Sequence, residues 1–307
     1  MSKALRIMHG SFGRAILVSL DHTVTVHAHR TCQIMFRIDG GDLDVVVRDQ
    51  RHRLGENDVV VLNAWEPHSY EITDEQSPVT ALSLYLDPAW LKRMDKRFAN
   101  CMHPRFFSVR CASTPDVARE LVADIVELIA YEPEPESEWV EELVLKLALA
   151  LAVPFSNHHG LSPFETVGGV ACDARIRKVL SMMRETVGEP IVMENLARQA
   201  GMSRPHFFHL FKQETQLTPM VYSSMLRMEA AVSQIVETSD SLLDISLRLG
   251  FESPGNFTRF FNMNQGFPPS HYRRSAMSIR SERKTFGSAP PRRSNSMLER
   301  AGVAATV

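Results

Sequence analysis

Two segments of the C-terminal half decide the fold, because they carry the same pattern twice. The first begins Leu196-Ala197-Arg198-Gln199-Ala200-Gly201, and the second begins Ile245-Ser246-Leu247-Arg248-Leu249-Gly250. After each glycine come five landmarks that recur 50 positions later, namely Phe207 and Phe257, Phe211 and Phe261, Leu217 and Phe267, Pro219 and Pro269, and Tyr222 and Tyr272. Five spaced matches are improbable by chance, so we interpret the segments as an internal repeat.

Each copy predicts a short helix, a glycine turn and a second helix. Gly201 and Gly250 end the first helix, where a left-handed residue is favoured. Ser203 and Ser253 take the N-cap position of the second helix, and a proline follows each within two residues. The two phenylalanines of each second helix share one face and are expected in the core, which leaves the other face free. This is the arrangement of a helix-turn-helix unit, whose second helix fits the major groove of DNA.

The second copy resembles the signature of the AraC/XylS family of transcription regulators. The matching residues are Gly250-Phe251-Glu252-Ser253, Asn256-Phe257-Thr258-Arg259-Phe260-Phe261, Gly266-Phe267-Pro268-Pro269 and Tyr272-Arg273-Arg274. The resemblance covers residues 173–274 and implies a domain of seven helices, in which a helix over roughly residues 218–237 joins the two units. A helical bundle with a duplicated hairpin and no DNA role is the alternative interpretation.

The resemblance also implies which residues face DNA. By position they are Arg204, Pro205, His206, Phe208 and His209 in the first unit, and Gly255, Asn256 and Arg259 in the second. Arg259 suits guanine and Asn256 suits adenine, because their donors and acceptors match those base edges. Gln216 departs from the family pattern, which usually has glycine there, and this departure predicts local strain.

The N-terminal half predicts a β domain that resembles a cupin. Residues 12 to about 86 contain short β-branched runs separated by turns, a pattern typical of a barrel or sandwich. Two groups of residues carry the resemblance: His27, His29, Gln33 and Gly40 have the spacing of the first cupin motif, and Gly55, Asp58, Pro67 and His68 resemble the second. Regulators of the AraC/XylS type often carry such a domain as a sensor, so the two resemblances support each other.

The cupin-like motifs predict a binding site for a small-molecule effector. Its expected lining is His27, His29, Gln33, Phe36, Trp65 and His68. Cupin metal sites use three histidines and a carboxylate, but Gln33 supplies a neutral amide, which is a poorer ligand. We therefore predict no metal and no cofactor. Two alternatives stay open: a metal-dependent cupin enzyme with a helical appendage, and histidines that only satisfy local hydrogen bonds.

After Pro88 the periodicity becomes helical. Residues 116–153 predict an antiparallel pair of helices, broken by the proline-rich stretch near residue 133. Leu145 and Leu149 make the second helix apolar on more than one side, so we expect one of its faces to meet a second subunit. Burial of both faces within one chain is the alternative.

The whole sequence predicts an α+β multidomain protein. The expected units are a cupin-like β-barrel sensor at residues 1–115, the helical pair at 116–153, a linker at 154–172, an all-α domain with two helix-turn-helix units at 173–274, and a disordered tail at 275–307. Net charge is −8 over residues 1–172, which carry 16 Lys and Arg against 24 Asp and Glu. The later residues are net positive, which suits DNA better.

Composition narrows the class of protein further. We find no signal-peptide pattern, no apolar run long enough for a membrane and no paired cysteines among the four, which predicts a cytoplasmic protein without a membrane partner. We expect a transcription regulator rather than an enzyme. Its expected partners are double-stranded DNA, a small-molecule effector and a second copy of the chain, with RNA polymerase as a further candidate. A scaffold whose helical half binds protein and not DNA is a third hypothesis.

Overall fold

Two sheets packed face to face form the N-terminal domain. The computed structural model describes residues 2–72, 77–132, 135–156, 173–189 and 191–278. The strands in these ranges are β1 (Lys3–Gly10), β2 (Gly13–Leu20), β3 (Val24–His27), β4 (Cys32–Gly40), β5 (Leu43–Val47), β6 (Gln50–Leu54), β7 (Asp58–Leu62), β8 (His68–Ile72), β9 (Val79–Leu86), β10 (Cys111–Ser113) and β11 (Ala276–Ser278). The larger sheet has the order β10-β7-β4-β9-β2-β1-β11, and the smaller has the order β3-β8-β5-β6.

The larger sheet is buried on both faces. Because side chains alternate along a strand, Ile16 and Val18 of β2 face the smaller sheet while Leu17 faces the helices. The outward face packs under α1 (Pro88–Met94), α2 (Asp116–Tyr131) and α3 (Ser137–Phe155). The predicted cupin-like domain with a helical pair is therefore what the chain forms.

Helix α3 is longer than the sequence predicts. It continues through Pro154 and ends at Phe155, whereas the predicted linker begins at residue 154. Phe155 is buried in the core beneath the helices, and its carbonyl oxygen accepts a hydrogen bond from the backbone N–H of Ser108 at 2.9 Å. This anchor holds the last turn against the domain. Residues 157–172 of the predicted linker lie outside the described residues.

Seven of the described helices form the C-terminal domain. They are α4 (Ala174–Glu185), α5 (Met193–Gln199), α6 (Arg204–Thr215), α7 (Pro219–Glu237), α8 (Leu242–Arg248), α9 (Pro254–Gln265) and α10 (Pro269–Ser275). We define the first unit as α5 and α6, and the second unit as α8 and α9. The predicted joining helix is α7, which Thr218 caps by accepting the backbone N–H of Val221 at 3.2 Å.

The predicted turns and caps of the two units are confirmed. Gly201 and Gly250 adopt left-handed φ angles of 66° and 74°. The hydroxyl of Ser203 accepts the backbone N–H of His206 at 3.5 Å, and that of Ser253 accepts the N–H of Asn256 at 3.2 Å. These contacts fix where each second helix begins.

The prediction of a disordered tail from residue 275 is wrong at its start. Ser275 completes α10, and the next three residues form β11, which pairs in parallel with β1. The hydroxyl of Ser275 also donates to the carbonyl oxygen of Ala4 at 2.9 Å. An edge strand offers unpaired backbone groups, and β11 satisfies those of β1. Residues 279–307 of the predicted tail lie outside the described residues.

The two domains share one apolar core. Phe257, Phe261, Phe267 and Tyr272 of the C-terminal domain pack in the same cluster as the residues between the two sheets. The first unit instead packs with α4 and α7 in a separate cluster, which from the N-terminal domain includes only Ala28 and the partly buried Trp65 among the described residues. The second unit is therefore the part of the DNA-binding half that is built onto the sensor.

Candidate DNA-reading and effector sites

Both second helices present their predicted reading residues to solvent. In α6, Arg204, Pro205, His206 and His209 are exposed, and Phe208 is half-buried. In α9, Gly255, Asn256 and Arg259 are exposed. The buried faces carry the phenylalanines of the repeat, such as Phe207 and Phe257, as the four-residue spacing predicts. Within the described part of the chain, these exposed side chains are free to meet a ligand.

The first reading helix carries an internal ion pair. Arg204 Nη1 lies 2.9 Å from Glu194 Oε1 on α5, and both side chains are more than half exposed. The Arg204 guanidinium also lies 5.5 Å from the centre of the Phe208 ring. An exposed pair of this kind contributes little stability, so Arg204 is able to exchange Glu194 for a phosphate or a base.

The second reading helix leaves its arginine without such a partner. Within the described part of the chain, Arg259 forms no hydrogen bond or ion pair. Thr258 is exposed beside Arg259 and is not among the residues predicted to face DNA. Thr258 lies within the stretch that resembles the family signature, but the chemistry of threonine does not by itself mark a contact with DNA.

The predicted effector residues converge only in part. His27, His29, His68, Gln33 and Tyr70 form a buried polar cluster, which we call the histidine cluster. Its three imidazole rings lie with centroids 4.3 to 6.3 Å apart. The Gln33 amide bridges His29 Nε2 at 3.0 Å and the Tyr70 hydroxyl at 2.8 Å. This compact arrangement fills the centre between the two sheets.

Backbone contacts hold all three histidines in one tautomer. Each Nδ1 lies 2.8 Å from a carbonyl oxygen, that of Thr25 for His27, Thr31 for His29 and Glu66 for His68. A carbonyl only accepts, so each Nδ1 carries the proton. The Nε2 of neutral His29 then accepts, and the Gln33 side chain satisfies it by turning its NH2 group rather than its oxygen toward that nitrogen. Burial lowers the pKa of His27 to about 4 and, with the charge of His27, the pKa of His29 to about 3. The cluster is therefore neutral at physiological pH.

The histidine cluster leaves almost no room for an effector. The gap beside His27 and His29, closed by Met228 of α7 and Gln265 of α9, is about 20 Å³. That volume is comparable to one water molecule. No group of His, Cys, Asp or Glu side chains within the described residues is arranged to hold a metal ion.

Phe36 and Trp65 do not join the cluster. Phe36 follows Gln33 by an odd number of residues on β4, so it points to the opposite face of the larger sheet and packs under the helices. Trp65 lies at the boundary between the domains, where its ring stacks on Tyr222 of α7 with centroids 5.8 Å apart. The prediction that these two residues line the same pocket as the histidines is therefore not supported by their placement.

A wide cleft lies between the two domains rather than inside the barrel. It has a volume of about 710 Å³, and we call it the interdomain cleft. Arg14, Arg30 and Trp65 line it from the N-terminal domain, while Arg184 and Glu229 line it from α4 and α7. Sequence reasoning missed all of these residues except Trp65. They come from distant segments with no shared motif, so no local signal marks them.

Two family models match separate parts of the chain. The model described as an AraC-like ligand binding domain matches residues 18–148, and the model described as a helix-turn-helix domain matches residues 196–275. Together they include the smaller sheet, strands β4, β7, β9 and β10 of the larger sheet, and nearly all of both units. Among the described residues, no helix combines the length and apolar character needed to cross a bilayer.

Individual relatives agree with these matches. The chain is 25% identical to the uncharacterized HTH-type transcriptional regulator YdiP of Escherichia coli over 53% of this chain and 54% of that protein. It is 23% identical to the HTH-type transcriptional activator RhaR of Klebsiella pneumoniae over 80% of this chain and 86% of that protein. A crystal structure of apo ToxT from Vibrio cholerae superposes with a TM-score of 0.54 at 12% identity, covering 85% of this chain and 96% of ToxT.

Proposed function

The chain belongs to the AraC family of DNA-binding transcription regulators, and from that premise we propose that α6 and α9 are its reading helices. This family is not one of enzymes, so the cupin-enzyme alternative is not retained. The N-terminal domain is its ligand-binding domain. The proposed contacts are those of the sequence pattern: Arg204, Pro205, His206, Phe208 and His209 on α6, and Gly255, Asn256 and Arg259 on α9.

The exposure of Arg259 is the observation that carries this proposal. A long cation on the outward face of a capped helix, with no internal ion pair among the described residues, is free to pair with guanine through two hydrogen bonds. Asn256 precedes it by three residues and is exposed on the same helix, where its amide suits adenine. Arg204 plays the matching part on α6 once it leaves Glu194.

Mobility-shift titration at several salt concentrations tests this assignment. With DNA from beside the protein's own gene, Arg259→Ala is expected to weaken specific binding by about 1–3 kcal/mol and to relax the preference at one base pair. Arg93→Ala is the matched control, since it removes the same charge from an exposed position on α1 of the sensor domain. An equal loss on all DNA sequences would identify Arg259 as a phosphate contact, and no specific shift by the unmodified chain would refute the reading helices.

Effector control and dimer formation complete the proposed function. ToxT, whose fold the chain shares, has been solved with an unsaturated fatty acid bound, with a TM-score of 0.52. The interdomain cleft supports a small-molecule effector here better than the histidine cluster, because only the cleft has room for one. Exposed Trp139 and Val153 on α3 support a second copy as partner. Contact with RNA polymerase and a cytoplasmic location stay predictions.

A further inference from the structure

Arg14 is a cation of the interdomain cleft that forms no ion pair with any carboxylate among the described residues. Arg14 of β2 lies with its guanidinium 4.2 Å from the centre of the Tyr85 ring, and its Nε is buried without a hydrogen-bond partner. Within the described ranges no carboxylate forms an ion pair with Arg14. Burial acts to lower the pKa of Arg14, but the hydroxyl groups of Tyr272 and Tyr85 and the Glu229 carboxylate raise this pKa above its usual value, so Arg14 keeps its charge.

The other charged groups of the cleft are already engaged or lie at its rim. Arg30 Nε lies 3.5 Å from Glu229 Oε2, and the Arg30 backbone N–H donates to the same carboxylate at 3.3 Å. Asp87 caps α1 by accepting the backbone N–H of Ala89 at 2.7 Å. Glu237, at the end of α7, is exposed. Arg184 donates to the hydroxyl of Tyr222 at 3.0 Å. Among the described arginines of the cleft, Arg14 and Arg184 therefore have no ion-pair partner.

His9 does not add a second charge beside Arg14. Burial and the nearby Arg14 cation lower the pKa of His9 to about 4, so this imidazole is neutral at physiological pH. Its Nε2 lies 3.1 Å from the hydroxyl of Tyr272 on α10. The permanent positive charge beside His9 therefore comes from Arg14, because arginine remains charged throughout the physiological range.

The rest of the cleft offers apolar surface. Met102 and Trp65 contribute from the N-terminal domain, and Ala230, Val232 and Val236 contribute from α7. Trp65 has a left-handed φ of 66°, which residues other than glycine rarely adopt. Its indole N–H is buried and has no hydrogen-bond partner among the described residues. A cation and an apolar wall in one cleft match a ligand with an anionic end and an apolar body.

We infer that the interdomain cleft binds a small organic carboxylate, whose charged group pairs with Arg14 and whose apolar body packs against Trp65, Met102 and Val236. This inference rests on the proposed function, because it names the class of effector for this regulator. Arginine and carboxylate match in geometry through two parallel hydrogen bonds. The volume of about 710 Å³ is sufficient for a metabolite-sized ligand.

Binding in this cleft favours the domain arrangement described here. Arg14 and Trp65 belong to the N-terminal domain and Val236 belongs to α7, so the ligand gains its full set of contacts only when both domains are together. A ligand shifts an equilibrium by its difference in affinity for the two states. If DNA binding requires another arrangement of the domains, bound DNA lowers the affinity of the chain for the carboxylate. The carboxylate then lowers the affinity for that DNA by the same factor.

The test uses the full chain without DNA and measures binding by calorimetry. The probes are hexanoate and phenylacetate, each compared with its neutral amide. At least one acid is expected to bind and raise the melting temperature, with its amide about tenfold weaker or more, since a charge-assisted hydrogen bond is lost. Equal binding of acid and amide, or binding of neither acid, overturns the inference.

Two substitutions on opposite walls of the cleft locate the binding. Arg14→Gln removes the cation. This variant is expected to bind the acid more weakly, by about tenfold or more, with its affinity for the neutral amide unchanged. Because Arg14 is half-buried, Val236→Glu is a second variant at an exposed position, and Val236→Gln is its neutral match of the same size. The new carboxylate is expected to repel the acid, so Val236→Glu should bind the acid more weakly whereas Val236→Gln should not. Equal affinity of both Val236 variants and unchanged affinity of Arg14→Gln would place the ligand elsewhere.

The outcomes separate this inference from the proposed function. A chain that binds its DNA specifically but ignores both acids is still the proposed regulator, and only the carboxylate site is lost. A chain that binds an acid through Arg14 but shows no specific mobility shift keeps the site and loses the reading helices.

Discussion

The first and second units have the same sequence pattern but different surroundings. Phe207 and Phe211 of the first unit pack with α4 and α7 inside the C-terminal domain. Phe257 and Phe261 of the second unit pack into the core that lies between the two sheets of the sensor. The hydroxyl of Thr25, in β3, also donates to the carbonyl oxygen of Met263 in α9 at 3.0 Å.

The difference shows how a sensor can act on one half of a duplicated DNA-binding domain. Any change in β3 reaches α9 through direct packing, and β3 carries His27 of the histidine cluster. The first unit is linked to the sensor through α7, whose Tyr222 stacks on Trp65 beside the interdomain cleft and also packs against Phe211 of α6. We therefore expect changes in the core of the sensor to move the second unit. Changes at the interdomain cleft are expected to move the first unit.

The two turn glycines provide the largest expected contrast. The Cβ of an alanine at position 250 would lie 1.8 Å from the carbonyl oxygen of Gly188, whereas one at position 201 meets nothing within 4 Å. Gly201→Ala is expected to cost about 1 kcal/mol from the left-handed φ alone. Gly250→Ala is expected to cost about 2–5 kcal/mol, because overpacking against backbone adds to that strain. Urea unfolding of both variants measures the difference, and equal losses would mean that the second turn is not packed as described.

Acid is expected to loosen the second unit before the first. His9 and His27 have pKa values lowered to about 4, mainly by burial, and both lie beside the second unit or α10. Their stabilisation is complete above the unfolded pKa of about 6.5 and is lost as pH falls toward 4, which amounts to about 2 kcal/mol per histidine at pH 5. Hydrogen exchange measured from pH 7 to 5 should show protection declining in α9 and α10 first. His27→Gln, which does not titrate, should reduce that decline; parallel decline in α6 would contradict the contrast.

The residues that end the two reading helices provide the smallest effect. Gln216 ends α6 with a φ of 63°, while Gly266 ends α9 with a φ of 83°. Gln216→Gly is expected to increase the free energy of unfolding by about 0.5–1 kcal/mol, because glycine removes the left-handed strain. The melting temperature should therefore rise slightly. Gln216→Asn is the control, since asparagine tolerates this region better than glutamine does. A lower melting temperature for Gln216→Gly would show that the Gln216 side chain, whose amide donates to Gln213, outweighs the strain.

The repeat predicted the local structure of the DNA-binding half well. Glycine turns, serine caps and paired phenylalanines are set by interactions within a few residues, so Ser203 and Ser253 could be placed from spacing alone. The strain at Gln216 was predicted in the same way and is confirmed by its left-handed φ. The contacts with DNA stay predictions, since exposure permits them without identifying a base.

The effector site was the harder part to predict. Motif spacing brought His27, His29 and His68 together, but it gave no measure of the space left between the sheets, which side chains from other strands fill. The prediction placed Phe36 in the same pocket as Gln33. The two residues are separated by an odd number of positions on β4, so their side chains lie on opposite faces of the sheet. Arg14 carries no motif, and its importance depends on Tyr85 and α7, which are distant in the sequence.

By itself the sequence determined the two helix-turn-helix units, the cupin-like strands and the family, because these depend on short-range spacing of turn, cap and core residues. Only the tertiary structure decided that the second unit shares the core of the sensor, that β11 closes the edge of β1 and that a wide cleft opens between the domains. Those features arise from which surfaces meet, and burial of apolar area is not directional. Many segments are apolar enough to pack together, so spacing along the chain does not identify the pairs that do.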